Sequence, residues 1–310
     1  MVPLCGIFKG FPPQNNTPMT IFFQQILNAL QLGSIYALIA LGYSMVYSIL
    51  SLINFAHGDI FMVGAFVGFF AATLLGLPFL PTLLLAMMAT SLLGVAVERF
   101  AYRPLRKAPK MSAVITALGV GLFLENFTMA SIGPERRLFP ELIPVVNFNI
   151  QGVTISSIQI LIILLTLALL LALDSFVQRS KTGLAMRAIS YDRSTASLMG
   201  VNVDLIISLT FALGSALAAA GGILVGIAYP VIEPYMGILV GWKAFVAAVV
   251  GGIGVVRGAM VGGFILGAVE IGAAAALPST YRDGVVFALL LAILVFKPTG
   301  ILGKPLFKPV

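Results

Sequence analysis

Residues 30–50 read LQLGSIYALIALGYSMVYSIL and residues 60–75 read IFMVGAFVGFFAATLL, joined by SLINFAHGD (51–59). The first run alone can cross the roughly 30 Å hydrocarbon core of a bilayer as a helix. The joint holds the chain's one histidine, His57, with Asn54, Gly58 and Asp59 around it. The whole chain shares this apolar character: 60 % of its residues are hydrophobic, 9 % are charged, and its mean hydropathy is +1.08. A soluble domain is nearer half apolar and a quarter charged, and no soluble core hides so much apolar surface. A segment inside lipid must satisfy its own backbone hydrogen bonds, and the alternation of a transmembrane barrel is absent. The fold class expected is all-α: a polytopic transmembrane bundle.

Spans are expected near 24–50, 59–76, 79–98, 111–131, 157–177, 205–229, 238–252, 259–277 and 284–297. The seventh and ninth are short enough to be tilted, broken or re-entrant, so the count is eight or nine. One domain is expected over 19–303. Residues 1–18 (MVPLCGIFKGFPPQNNTP) are Pro- and Asn-rich and read either as an extension ahead of a start at Met19 or as a mobile tail; residues 304–310 read as a cytoplasmic tail. One cysteine and one histidine leave no disulfide framework, no thiolate cluster and no multi-His metal site.

The formal net charge is +7, and its placement matters more than its sign. Arg99, Arg103, Arg106, Lys107 and Lys110 form one group, Arg179, Lys181, Arg187 and Arg193 a second, and Lys297, Lys304 and Lys308 a third. With the spans above, all three fall on one side, and the alternate loops are poor in cations. The positive-inside rule makes that side cytoplasmic, with the C-terminus inside. No nucleic-acid partner is expected. The outer loop 131–154 has enough Pro, charge and aromatic character for a docking ledge, or it is a plain connection.

Residues 181–200, KTGLAMRAISYDRSTASLMG, are too polar to cross a bilayer. They read as one helix from Gly183 to Met199, capped by Thr182 and ended by Gly200, with Asn202 or Asp204 capping the next span. Small residues on one side allow another protein to approach closely, and Arg187, Asp192 and Arg193 would supply pairing charges. The bland alternative is a connecting helix. No phosphate-binding loop and no hydrolase or metalloprotease motif occurs; GILGKP at 300–305 has the wrong spacing.

Four segments together resemble a known family: 30–66 around INFAHGDIF, 98–126 (ERFAYRPLRKAPKMSAVITALGVGLFLEN), 182–204 (TGLAMRAISYDRSTASLMGVNVD) and 251–263 (GGIGVVRGAMVGG). They look like permeases of the branched-chain amino acid ABC importers, of the LivH rather than the LivM branch, over about 20–303. The resemblance implies a bacterial inner-membrane subunit working with a second, LivM-like permease, two cytoplasmic ABC ATPases and a periplasmic solute-binding protein. It implies import of an amino acid with no cofactor and no catalysis in this chain. The 183–199 helix would be the element that couples to the ATPases, with Gly183, Arg187, Ala188, Asp192 and Gly200 on its motif. A secondary transporter or channel is the alternative.

Paired interruptions mark the centre of repeat-built transporters. Asn54, His57, Gly58 and Asp59 in the first half, and Gly251, Gly252 and Gly254 in the second, are therefore expected to line the path or form its hinge. Asn54, His57 and Asp59 are expected to cap one helix and start the next. Gly64-x-x-x-Gly68, Gly222-x-x-x-Gly226 and Gly263-x-x-x-Gly267 are expected at helix crossings. Glu125 and Glu270, ionisable groups inside spans, are functional candidates on that ground, or else they are paired structurally or sit near a span end.

Overall fold

A computed structural model of the chain describes residues 18–106 and 108–303. The expected N-terminal extension, except Pro18, and the tail over 304–310 lie outside the described residues, as do Cys5, Lys107, Lys304 and Lys308. The elements are α1 (Pro18–Leu50), α2 (His57–Leu74), α3 (Phe79–Val97), α4 (Lys110–Ile132), α5 (Ser157–Arg179), α6 (Lys181–Tyr191), α7 (Arg193–Leu198), α8 (Val203–Ala228), α9 (Met236–Gly251), α10 (Val256–Ala276) and α11 (Arg282–Phe296). Four short strands, β1 (Arg137–Leu138), β2 (Asn147–Ile150), β3 (Val153–Ser156) and β4 (Val231–Ile232), complete the list. Among the described residues, seven helices are long and apolar enough to cross a membrane: α1, α2, α3 with its continuation, α4, α5, α8 and α10. The two remaining apolar helices, α9 and α11, have 16 and 15 residues, and they are the two expected to be short.

The chain places its helix ends with small polar residues. Ser156 and Gln159 form a reciprocal capping box at the start of α5. Asn202 accepts from the Leu205 amide at 3.1 Å and caps α8. Gly133 ends α4 and Gly252 ends α9 at positive φ, 96° and 114°, where a Cβ would cost energy.

Helices α1 and α8 are buried along most of their length and form the axis of the bundle, whereas α3, α4 and α5 turn most of theirs outward. α1 packs chiefly on α10 and α8, α3 and α2 on α8. Lipid tails are as apolar as leucine, so close packing holds such helices together, and small residues set it. Of the three glycine pairs, two lie wholly at helix crossings and the third does so at Gly222 only, since Gly226 meets the outer loop. Gly64 and Gly68 lie against Ala219 and Ile223 of α8, and Gly222 against the Phe61 carbonyl of α2. Gly226 lies against the Phe139 ring, and Gly263 and Gly267 against Ala37 and Gly33 of α1.

One end of the bundle is basic. There the ends of α1 and α3 meet α6, with Arg106, Asp192 and Arg193 around one depression. Gln178, Arg187 and Arg257 meet around another, and Arg257 pairs with Asp174 at 3.1 Å. α3 continues through a π turn over Glu98–Tyr102, which turns Glu98 inward to pair with Arg106 and to accept from Ser208 at 2.6 Å. At the opposite end β2 and β3 form a hairpin through Gln151 and Gly152, and β1 pairs antiparallel with β4. The outer loop is thus built of strand pairs tied to α1 by the Thr154 amide, which donates to Gln24 at 3.0 Å.

Candidate functional site

The segment after α1 does not run on outward. His57 packs beside Gly42 and Tyr43, two helical turns before the end of α1 at Leu50. Residues 51–56 therefore carry the chain back into the bundle before α2 begins. Non-helical backbone is tolerated at membrane depth only where it is buried in protein or lines a cavity, and this segment does both.

His57 starts α2 and Asp59 stands in its first turn, as expected, but no side chain caps the helix, whose N-cap is Ala56. Asn54 instead accepts from the Tyr102 hydroxyl at 2.8 Å, fastening the break to the π turn after α3. His57 is 1 % exposed and meets the Tyr43 ring edge-on, centroids 4.8 Å apart. It fills the gap left by Gly42 and Gly214 where α1 crosses α8. Asp59 points the other way, towards Gly121 of α4 and Gly237 of α9. The two polar residues thus serve different helix contacts and form no dyad.

Gly58 lies directly against the Gly237 carbonyl and Gly241 of α9. No side chain fits between, so Gly58→Val is expected to part α2 from α9 and to cost about 1–3 kcal/mol. Thermal unfolding of the purified protein measures this, and an unchanged midpoint would exclude the contact.

Asp59 opens onto a cavity of about 180 Å³. Tyr43, Phe55, Leu118, Trp242 and Phe245 give it an apolar, aromatic wall, and Asp59 and Glu125 give it two carboxyl groups. Those two carboxyl groups stand beside one another in its wall. No cation pairs with either among the described residues, and Asp59 Oδ1 has no hydrogen-bond partner. Of the readings open for Glu125, a pairing with a cation is therefore not the one found. The cavity faces outward between α4 and α9, where Leu122 and Trp242 are 59 % and 42 % exposed. Phe55, Trp242 and Phe245 contact one another, with centroids 5.4–6.2 Å apart. Of the cavity's residues only Asp59 was singled out as a site residue and Glu125 as an ionisable group in a span. The pair Gly237-x-x-x-Gly241 next to Trp242 was the signal available for α9.

The second interruption stands apart from this cavity. Gly252 and Gly254 adopt φ of 114° and 89°, and Gly251 packs on Gly258. Residues 300–303 fasten here: the amides of Ile301 and Leu302 donate to the carbonyls of Val250 and Gly251, each at 2.9 Å. Gly254 lies near Tyr47, at the basic end.

Between α5 and α8 the expected single helix is two. Ser180, not Thr182, caps α6 by accepting from the Gly183 amide at 2.8 Å. Asp192, at φ −152° and ψ 114°, breaks the run and caps α7. Its carboxylate takes the Ser194 amide at 2.9 Å and the Ser194 and Thr195 hydroxyls, and those bonds lower its pKa from 3.8 to about 2. An Asp that caps in extended conformation competes with helix continuation, and here the cap wins. Gly183 packs against the Phe176 and Val177 carbonyls, and Gly200 ends α7 at φ 83°.

Arg187 and Arg193 of this segment are tied back to the bundle, whereas Lys181 is exposed. Arg187 donates to the Gln178 carbonyl and side chain at 3.1 and 2.6 Å, and Arg193 donates to the Ile49 carbonyl at the end of α1. The outward face carries Leu184, Tyr191, Leu198 and Met199, 59–95 % exposed, around a shallow depression that includes Ala188, with Lys181, Ser190, Asp192, Ser194, Thr195 and Ser197 exposed beside them.

Residues 25–294 match the family described as branched-chain amino acid transport system, permease component. The high-affinity branched-chain amino acid transport system permease protein BraD of Pseudomonas aeruginosa is 45 % identical over 297 residues, covering 92 % of this chain and 96 % of BraD. The permease protein LivH of Escherichia coli K12 is 43 % identical over 301 residues, with the same coverage. A probable LivH of Methanocaldococcus jannaschii is 26 % identical over 292 residues, covering 87 % of this chain and 89 % of that protein.

Proposed function

The chain belongs to the family of branched-chain amino acid transport system permeases, and from that premise we propose that it is the membrane subunit of a binding-protein-dependent importer. It carries branched-chain or related amino acids across the bacterial inner membrane. Two separate ABC ATPases drive it, a second, LivM-like permease completes the path, and a periplasmic binding protein delivers the solute. The observation that carries this reading is the near full-length identity to BraD and LivH.

The basic end is the cytoplasmic one, because the cation-rich segments gather there. The pair α6–α7 is the coupling element. It is solvent-facing, polar in composition, tied back to α5 and α1, and presents an apolar strip outward. Gly183, Arg187, Asp192 and Gly200 set its shape, and Ala188 lies in its depression. The transport cycle needs no covalent chemistry here: ATPase closure moves α6–α7, and the bundle interfaces shift between two arrangements.

Proteoliposomes holding both permeases and both ATPases, with the binding protein outside, are expected to accumulate labelled leucine only with ATP inside. Uptake that persists without the ATPases would instead make the chain a secondary transporter or channel.

A further inference from the structure

The Asp59–Glu125 cavity has the parts of a site for a small cationic, apolar-bodied solute. A pair of carboxyl groups, each 6 % exposed, faces a space walled by Phe55, Trp242 and Phe245. Buried carboxylates normally take a cation or a full set of donors. Here Asp59 Oδ1 has neither, and Gly121 and Gly237 lack the side chains that would collide with the Asp59 carboxyl group. The other buried carboxylates among the described residues are partnered: Glu98 meets Arg106 and Ser208, and Glu270 meets Lys243, Arg282 and the Tyr36 hydroxyl, each at 2.7 Å. The contrast marks Asp59 as a group whose partner arrives from outside.

We propose that this cavity is the transit site for the amino acid, its α-ammonium set against Asp59 and Glu125 and its branched side chain against the Phe55–Trp242–Phe245 wall. This rests on the importer reading above and adds the substrate contacts to it. The size agrees: a 150 Å³ apolar cavity admits benzene, and 180 Å³ admits a branched side chain with its ammonium. The substrate carboxylate is left at the mouth between α4 and α9, with no cation of this chain beside it among the described residues. An aromatic face also attracts a cation. An importer fed by a binding protein gains from this lopsided arrangement, since a site that grips only one end of the zwitterion releases it readily.

Trp242 is the chain's one tryptophan and reports the site. The assembled importer in lipid nanodiscs, without binding protein, is titrated while tryptophan emission is followed, and the same complex with Trp242→Phe supplies the background. Leucine and 3-methylbutylamine are expected to change the Trp242 signal, and 4-methylpentanoate, which lacks the ammonium, is not. Asp59→Asn and Glu125→Gln are each expected to raise the half-saturating leucine concentration at least tenfold and to slow uptake comparably. A leucine titration without effect on the Trp242 signal overturns the proposal, as does 4-methylpentanoate matching the amine. Unchanged half-saturation in both variants does the same. The ligand series in the unaltered protein decides the matter even where a variant does not fold. Absence of ATP-dependent leucine uptake by that unaltered complex would instead remove the importer reading.

Discussion

Glu270→Ala is expected to be the most destabilising single change in the bundle, by about 3–5 kcal/mol. Glu270 is fully buried and joins four helices. It binds Lys243 of α9, Arg282 at the start of α11 and Tyr36 of α1 from its own place in α10. Two losses compete for the cause. The Tyr36 hydroxyl forfeits one hydrogen bond, worth roughly 1 kcal/mol net. Lys243, only 5 % exposed, keeps a buried charge with Asp283 at the surface as its remaining partner, 2.6 Å away. The stranded cation dominates. Thermal unfolding of the purified permease measures the loss, and Lys243→Met in the same chain is expected to recover most of it, since a buried pair replaced by apolar groups is often neutral. A loss below about 1 kcal/mol, or no recovery in the double variant, would show that the pair is not what holds α9 to α10.

Asp192→Lys is expected to reduce ATP-driven uptake at least tenfold while the protein remains in the membrane. The carboxylate holds the corner between α6 and α7 through Ser194 and Thr195. Without it the two short helices lose their fixed angle, and the strip of Leu184, Tyr191, Leu198 and Met199 loses its shape. Arg187→Glu acts at the other end by breaking the tie to Gln178. Asp192→Asn separates cap from charge, since asparagine caps as well as aspartate; it is expected to keep most of the uptake. Equal loss in the Asn and Lys variants would assign the role to charge, and normal uptake in the Lys variant would remove α6–α7 from coupling. Because the folded pKa is depressed from 3.8 to about 2, the stability this cap contributes is present above pH 3.8. It is lost only as pH falls through about 2, so uptake between pH 5 and 8 is expected to owe no pH dependence to Asp192.

The long elements were legible in the sequence because lipid imposes a length. The expected spans and the helices agree within a few residues, except that α1 starts six residues earlier at Pro18, and both weak spans are the short helices α9 and α11. Glycine spacing marked the crossings because close approach between helices has one chemical solution. What local reading missed was tertiary. Asp192 inside a helix-compatible run gave no sign that its extended backbone would win. His57, rare in the composition, drew attention that its packing between Gly42 and Gly214 does not support. The cavity draws on α1, the break, α2, α4 and α9, and no spacing along the chain places Tyr43, Glu125 and Trp242 together.

The buried position of α1 has a consequence for how the protein is made. The helix synthesised first has its main partner in α10, and the bond from Tyr36 to Glu270 spans 234 residues. At 5–20 residues per second, a ribosome needs roughly 10–50 s to supply that partner. During this interval α1 must wait in the bilayer with the Tyr36 hydroxyl unserved. The permease therefore closes around its own first helix late, and a chain interrupted before α10 leaves that helix orphaned, a substrate for membrane quality control.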